Sequence, residues 1–303
     1  MHTRYLVTGA GGTIGGVSNA VVDLLVRDGA QVRALVHRDD HRADPLRELG
    51  AQVVAGDLTE PTDVVAAMHG VDRVFFNMGV SASYLQAAAV VSAVGREHDG
   101  LETIVNMSQM TVSQMSLTSR DESHQQRLHW LSEQVMDWSG LPVTHVRPTV
   151  FMDNPLFTFL SAASVRDRHT LEVPFGTGRT SPIAALDVAR VVTALLREPD
   201  THRGHVYELT GPELLDVDGL ARNLAGALGH PVTGADIPHT QWAQQILEPA
   251  GLPPHVAHHI DTMARLHRAH RYERLTDDVE RVTGRPAVTM QQYVAENAAR
   301  FGG

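Results

Sequence analysis

Near its start the chain carries seven residues with the spacing of a phosphate-binding turn, Gly9-Ala10-Gly11-Gly12-Thr13-Ile14-Gly15. The turn follows an apolar strand pattern, Arg4–Thr8, and opens a helix in which Val17, Val21, Leu24 and Leu25 recur. In that setting Gly9 permits the tight turn, Gly12 lets the backbone approach a pyrophosphate, and Gly15 allows close helix-to-strand packing. The helix N-terminus offers free N–H groups and a partial positive charge to the phosphates. The alternative is a tight strand-to-helix turn that holds no ligand. The second strand pattern ends in Leu35-Val36-His37-Arg38. An NAD site places an acid there for the ribose hydroxyls; a cation there suits the 2′-phosphate of NADP. Arg38 can stack on adenine and pair with that phosphate, and His37 can add a donor. Asp39 and Asp40 follow at once and could take a plain ribose if the loop shifted. Asp57, in Gly56-Asp57-Leu58, stands where an acid can accept from the adenine amino group, or it caps the next helix.

Absences narrow the chemistry further. All 25 basic residues are arginine, so a lysine base, a Schiff base and a lysine on a cofactor ribose are excluded. There is no cysteine, which removes disulfides, thiolate catalysis and cysteine-ligated metals. Of the 18 histidines, His255 and His259 share a helix face, yet no His–carboxylate spacing has the form of a zinc site, and no metal is expected. A net charge of −10 argues against a nucleic-acid partner. No apolar run reaches the roughly 20 residues needed to span a bilayer. The apolar residues Tyr5–Val7 read as a strand and not as a leader, so a cytoplasmic location is expected.

These residues need a frame, and the first half supplies one. Strand patterns at Arg4–Thr8, Gln31–Val36, Ala51–Ala55, Arg73–Asn77, Glu102–Met107 and Pro142–Arg147 alternate with helical patterns. The helices are expected at Gly15–Asp28, Asp44–Leu49, Glu60–Met68, Ser83–Glu97 and Gln125–Ser139. Repeated β-α units imply an α/β fold, a doubly wound parallel (Rossmann) sheet covered by helices on both faces. The second half is less regular. It predicts helices at Phe151–Ser164, Ala185–Arg197, Asp216–Leu228, Thr240–Ala250, Pro254–Arg271 and Met290–Phe301, and strands at His205–Leu209 and Pro231–Ile237. Leu171–Pro182 reads as turn-rich. The expected division is a nucleotide-binding domain over 1–154, with 183–204 packing back onto it, and a smaller C-terminal α/β substrate domain from 155–182 and 205–303.

The chain resembles the NmrA-like group of atypical short-chain dehydrogenases/reductases over nearly its full length. The resemblance is carried by the glycine turn, Val32-Arg33-Ala34-Leu35-Val36, Gly56-Asp57-Leu58, His129-Trp130-Leu131-Ser132-Glu133 and Ser139-Gly140-Leu141-Pro142 through Arg147-Pro148. It continues in Phe151-Met152-Asp153-Asn154, Tyr207-Glu208-Leu209-Thr210-Gly211-Pro212, Leu275-Thr276-Asp277-Asp278-Val279 and Thr283-Gly284-Arg285-Pro286. It implies NADP(H), and flat substrates such as quinones, aromatic dyes or polycyclic ketones; some members are instead redox-sensing regulators. The cofactor site it implies takes in Thr8, Gly9, Gly12, Thr13, Ile14, Gly15, His37, Arg38, Asp57 and Leu58. It also takes in Asn77, Met78 and Gly79 at the end of the fourth strand, with His129, Pro148, Thr149 and Phe151 toward the nicotinamide.

Ordinary short-chain reductases pair a tyrosine acid with a lysine four residues on. The matching positions here are Gln125, which cannot donate a proton at useful pH, and His129, which can bind the nicotinamide ribose, relay a proton, or pair with Glu133. Ser108 is the counterpart of the family serine that faces substrate, with Thr111 and Ser113 as alternatives; its hydroxyl could also serve only the backbone. Tyr84 could act as an acid from a new direction or pack against the ligands. An acid matters less where the reduced product is a stabilised phenolate, or where a neighbouring phenol shuttles the proton. The expected enzyme is therefore an NADPH-dependent ketone or quinone reductase of a flat aromatic substrate, with substrate-assisted protonation and a place in aromatic natural-product (antibiotic) biosynthesis. It would act as monomer or homodimer, without a membrane. The competing readings are a non-catalytic NADP-sensing regulator with a protein partner, and an isomerase or dehydratase that uses the nucleotide transiently.

Overall fold

The computed structural model describes residues 3–11 and 16–302. The expected cofactor residues Gly12, Thr13, Ile14 and Gly15 lie outside the described residues. Among those described, nine strands run in chain order: β1 (Arg4–Thr8), β2 (Gln31–Val36), β3 (Gln52–Ala55), β4 (Arg73–Phe76), β5 (Thr103–Met107), β6 (Val143–Pro148), β7 (Thr170–Val173), β8 (Val206–Leu209) and β9 (Thr233–Asp236). The helices are α1 (Val17–Arg27), α2 (Asp44–Leu49), α3 (Pro61–Met68), α4 (Tyr84–Arg96), α5 (His124–Trp138), α6 (Phe159–Arg168), α7 (Ala185–Arg197), α8 (Pro199–His202), α9 (Val217–Leu228), α10 (His239–Trp242), α11 (Pro254–Arg268), α12 (Asp278–Thr283) and α13 (Met290–Glu296).

The main sheet has seven strands in the order β3-β2-β1-β4-β5-β6-β8. Registers from β3 through β6 are parallel. At the edge, the N–H of His145 bonds the carbonyl of His205 and that of Thr149 the carbonyl of Leu209, so β8 advances with β6 and is parallel too. Parallel strands covered on both faces lose the alternation of a half-exposed strand, and β5 is buried at every position. The strand order reverses between β1 and β4, which opens a crevice at their carboxyl ends. α1 lies beside it because Val17, Ser18, Val21, Val22 and Leu25 form one buried stripe at helical spacing. On one face of the sheet, Leu6, Phe76, Tyr84, Val91, Ile104, Leu128 and Met136 share a core.

The chain divides into two compact units of comparable size. The first comprises residues 1–112, 127–147 and 188–207; the second comprises 113–126, 148–187 and 208–303. Residues 113–126 and 148–154, expected with the nucleotide-binding domain, thus cluster with the C-terminal segments. In the second unit β7 and β9 form a two-stranded parallel sheet, with Thr170 opposite Thr233 and Val173 opposite Asp236. Its core includes His267, whose ring lies between Phe175 (4.1 Å) and Tyr272 (3.9 Å) in nearly parallel stacks.

Local chemistry explains where the second half departs from expectation. Residues 151–158 are turns, and α6 begins only at Phe159. Pro155 has no N–H to give, the side chain of Asn154 accepts from the N–H of Leu156 at 3.0 Å, and Phe151 bridges to Ile183. The segment expected to be turn-rich begins with strand β7, and α11 stops at Arg268. Residues 239–250 change from α10 to a π-helical turn and then a tight 3-10 turn holding Pro249. α12 follows Asp277, an element that sequence periodicity did not indicate.

Candidate active site

The crevice between β1 and β4 is fixed by a closed set of hydrogen bonds. The hydroxyl of Thr8 donates to the carbonyl of Asn77 at 2.7 Å and accepts from its N–H at 2.9 Å. The Asn77 amide donates to Ser18 at 2.9 Å, and Ser18 donates to the carbonyl of Thr8 at 2.8 Å. Gly9 stands inside this set at φ +69°, and a Cβ there would meet the Asn77 carbonyl oxygen at 2.6 Å. Only glycine fits. Ser18 was not among the expected site residues. Its signal was a polar residue on the apolar stripe of α1, which implies a buried partner.

Beyond the turn, His37 and Arg38 are exposed at the end of β2. The His37 ring lies 4.0 Å from the Asp57 carboxylate. That carboxylate accepts from the N–H (2.8 Å) and hydroxyl (2.7 Å) of Thr59, and these bonds hold its pKa below the usual range. Asp57 therefore shapes its own turn, while α3 takes Glu60 as its N-terminal residue. Leu58 and Met78 are half-buried against the core, and Gly79 is exposed. Among the described residues Arg38 has no ion pair or hydrogen-bonded side chain, whereas Asp39 is bound by Arg47 and Asp40 by Arg42.

At the carboxyl end of β5, the N–H of Ser108 bonds the carbonyl of Val146 at 2.8 Å. Among the described residues its buried hydroxyl has no hydrogen-bond partner, nor does the buried amide nitrogen of Gln109 beside it. Buried polar atoms of this kind are uncommon, and a water or a ligand can satisfy them. The reading in which Ser108 serves only the backbone is not what its hydroxyl does. Of the alternatives, Thr111 donates to Gln109 at 2.8 Å and Ser113 accepts from Arg274 at 3.3 Å.

Tyr84 corrects the expectation of a substitute acid. The ring is fully buried, and its hydroxyl donates to the carbonyl of Met107 at 2.6 Å. Burial and the Glu133 charge push its pKa well above the ordinary tyrosine value. The half-buried His129 ring packs against Tyr84, 4.1 Å away at 47°. Buried Glu133 receives a forked pair from Arg147, at 3.0 and 2.5 Å, which anchors the middle of α5 to β6.

In the second unit, Gln125 is buried and its carbonyl oxygen lies 2.9 Å from Nε2 of His255. Ser123 caps α5 by accepting from the N–H of Gln126, and its hydroxyl also hydrogen-bonds Nδ1 of His259 at 2.8 Å. Burial lowers the His259 pKa to about 4. The histidine pair on α11 thus faces the start of α5, and among the described residues no group of three potential metal ligands assembles. His255 as the neighbour of Gln125 could not be read from sequence, because 130 positions separate them. Pro148 ends β6; Thr149 is buried, with no partner for its hydroxyl among the described residues; Phe151 is half-buried, and Met152 beside it is core. Among the described residues no helix is long and apolar enough to cross a membrane.

Three comparisons bear on this geometry. The chain is 33% identical to an NAD(P)H azoreductase of Xenophilus azovorans, covering 98% of this chain and 99% of that one. Its fold is similar to an NADPH-dependent quinone oxidoreductase of Escherichia coli crystallised with NADPH, with TM-score 0.84, 20% identity and coverage of 98% and 100%. It is also similar to the negative transcriptional regulator NmrA in complex with NADP, with TM-score 0.80, 16% identity and coverage of 99% and 97%. Residues 1–294 match the NmrA-like family, and the chain belongs to it.

Proposed function

We propose that the chain is an NADPH-dependent oxidoreductase whose acceptor is a conjugated or hydroxylated aromatic, a quinone or a polycyclic aromatic ketone. The nucleotide reading is supported by the fixed Gly9 turn and by an exposed cation, Arg38, beside carboxylates that are already bound. The azoreductase relative and the quinone oxidoreductase neighbour support the reaction class. When bound, reduced nicotinamide supplies hydride. The chain's own part is to orient and to hydrogen-bond. In this reading the Ser108 hydroxyl donates to an acceptor oxygen, and His129, against the Tyr84 ring, holds a ribose.

The substrate class rests on one observation. No phenol acid stands ready: the Tyr84 hydroxyl donates to the Met107 carbonyl, and Gln125, at the position of the usual tyrosine, has no acidic proton and lies against His255. Hydride transfer to an aliphatic ketone makes a strongly basic alkoxide that needs an acid in place. A quinone or hydroxyaryl ketone makes a stabilised phenolate, and protonation can come from the substrate or solvent. An NADPH-depletion assay with menadione, an azo dye, an aryl ketone and cyclohexanone tests this. Turnover of the aromatic acceptors ahead of cyclohexanone is expected; cyclohexanone reduced fastest would overturn the substrate class. No turnover of any acceptor, with tight NADPH binding, would favour a nucleotide sensor.

A further inference from the structure

Two aspartates follow Arg38 in the turn after β2, where a free carboxylate would repel a 2′-phosphate and suit a plain ribose. Both are held from α2 and its approach. Arg47 places one guanidinium nitrogen 2.5 Å from each oxygen of Asp39 and the other 3.2 Å from Asp44. Arg42 forks over Asp40 at 2.6, 2.9 and 3.2 Å, and its N–H adds a bond of 3.0 Å. Exposed ion pairs of this kind add little to folding stability. Their effect is on the local field and on where the two carboxylates point.

We propose that Arg47 and Arg42 are specificity-determining positioning residues: by binding Asp39 and Asp40 they leave Arg38 as the group that meets the 2′-phosphate. The proposal rests on the NADPH reading above. Cofactor choice then resides in three arginines, two of which touch no nucleotide. The same segment stripped of Arg42 and Arg47 would present two acids at the place where an NAD site has one.

The test is equilibrium titration of the full chain with NADPH and NADH, followed by nicotinamide fluorescence. The proteins are wild type, Arg47→Ala, Asp39→Asn and the double variant, with Arg42→Ala and Asp40→Asn as a parallel set. Unmasking one carboxylate beside a phosphate dianion in a wet site weakens binding by roughly five- to tenfold. Arg47→Ala should therefore lower the preference for NADPH by that factor, through weaker NADPH binding. Asp39→Asn should keep the preference, and the double variant should recover it, because the Asp39 carboxylate that Arg47 masks is gone. Salt should narrow the gap between wild type and Arg47→Ala by screening. An unchanged preference in Arg47→Ala overturns the proposal. So does a double variant as poor as the single one, which would make Arg47 a purely structural part of α2. If Arg47→Ala fails to fold, Arg42→Ala with its Asp40→Asn partner decides by the same outcomes. Loss of preference in Arg38→Ala with none in Arg47→Ala removes this inference and leaves the cofactor reading standing. Equal binding of both nucleotides by wild type removes the reading itself.

Discussion

At the scale of single residues, two hydroxyls separate function from structure. Ser108 holds a buried hydroxyl that no hydrogen bond satisfies among the described residues. Such a group costs folding free energy and is retained where a ligand uses it. Ser108→Ala should leave the melting temperature unchanged or raised, while lowering kcat/KM for quinone reduction by about ten- to a hundredfold. Thermal melts and steady-state kinetics read the two effects; a loss of stability with unchanged kinetics would assign Ser108 to packing. Tyr84 should behave in the opposite way. Its hydroxyl satisfies the buried carbonyl of Met107, so Tyr84→Phe should cost about 1–2 kcal/mol of stability. The rate should change by far less than the roughly hundredfold that removal of a general acid brings. Denaturant unfolding and initial rates check this, and a collapse of the rate in a stable Tyr84→Phe protein would restore the tyrosine as an acid.

Elements rather than residues decide the nucleotide turn. β1 and β4 are neighbours at the reversal of strand order, and Thr8, Asn77 and Ser18 tie their ends to α1. Gly9→Ala meets both a positive φ and an oxygen at 2.6 Å, so the ends of β1 and β4 must part. NADPH affinity should fall more than about tenfold, with a stability cost of at least about 1 kcal/mol. A titration showing wild-type affinity would mean the turn does not hold the nucleotide. Much of this frame was legible in the sequence, because period-two and period-3.6 patterns and glycine stops are local signals. All six early strands and the helices between them lie within a few residues of their expected places. What the sequence could not show is non-local or side-chain specific. Asp39 meets Arg47 across a turn of no fixed spacing, His255 reaches Gln125 from a distant helix, and Arg147 takes the Glu133 that local spacing offered to His129. The helix expected from Phe151 failed because Pro155 and the Asn154 side chain redirect the backbone there.

For the whole molecule the 18 histidines set the response to acid. Two of them, His267 and His259, resist protonation in the folded chain. His267 is fully buried between two aromatic rings, and its pKa is lowered to about 3 by desolvation. Nδ1 of His267 donates to the Met263 carbonyl at 2.7 Å, and in the neutral ring that burial favours, Nε2 accepts from Thr180 at 3.3 Å. His259 is lowered to about 4 by burial and by His255 and His258. In the unfolded chain both titrate near the ordinary value of about 6.5. Between that pH and the folded values the unfolded state binds more protons, so stability falls as pH falls. Each histidine contributes a slope of about 1.4 kcal/mol per pH unit through that window. The chain should therefore lose stability steeply from about pH 6.5 to pH 4 while remaining nearly flat from pH 7 to 8. His267→Phe keeps an aromatic ring in the stack and removes the proton site. Its stability at pH 7 should drop for want of the two hydrogen bonds, but the loss between pH 7 and 5 should shrink by about 2 kcal/mol. Urea unfolding of both proteins at the two pH values measures that difference. An equal acid loss in both would show that His267 is not a source of the sensitivity, leaving His259 and the surface carboxylates to account for it.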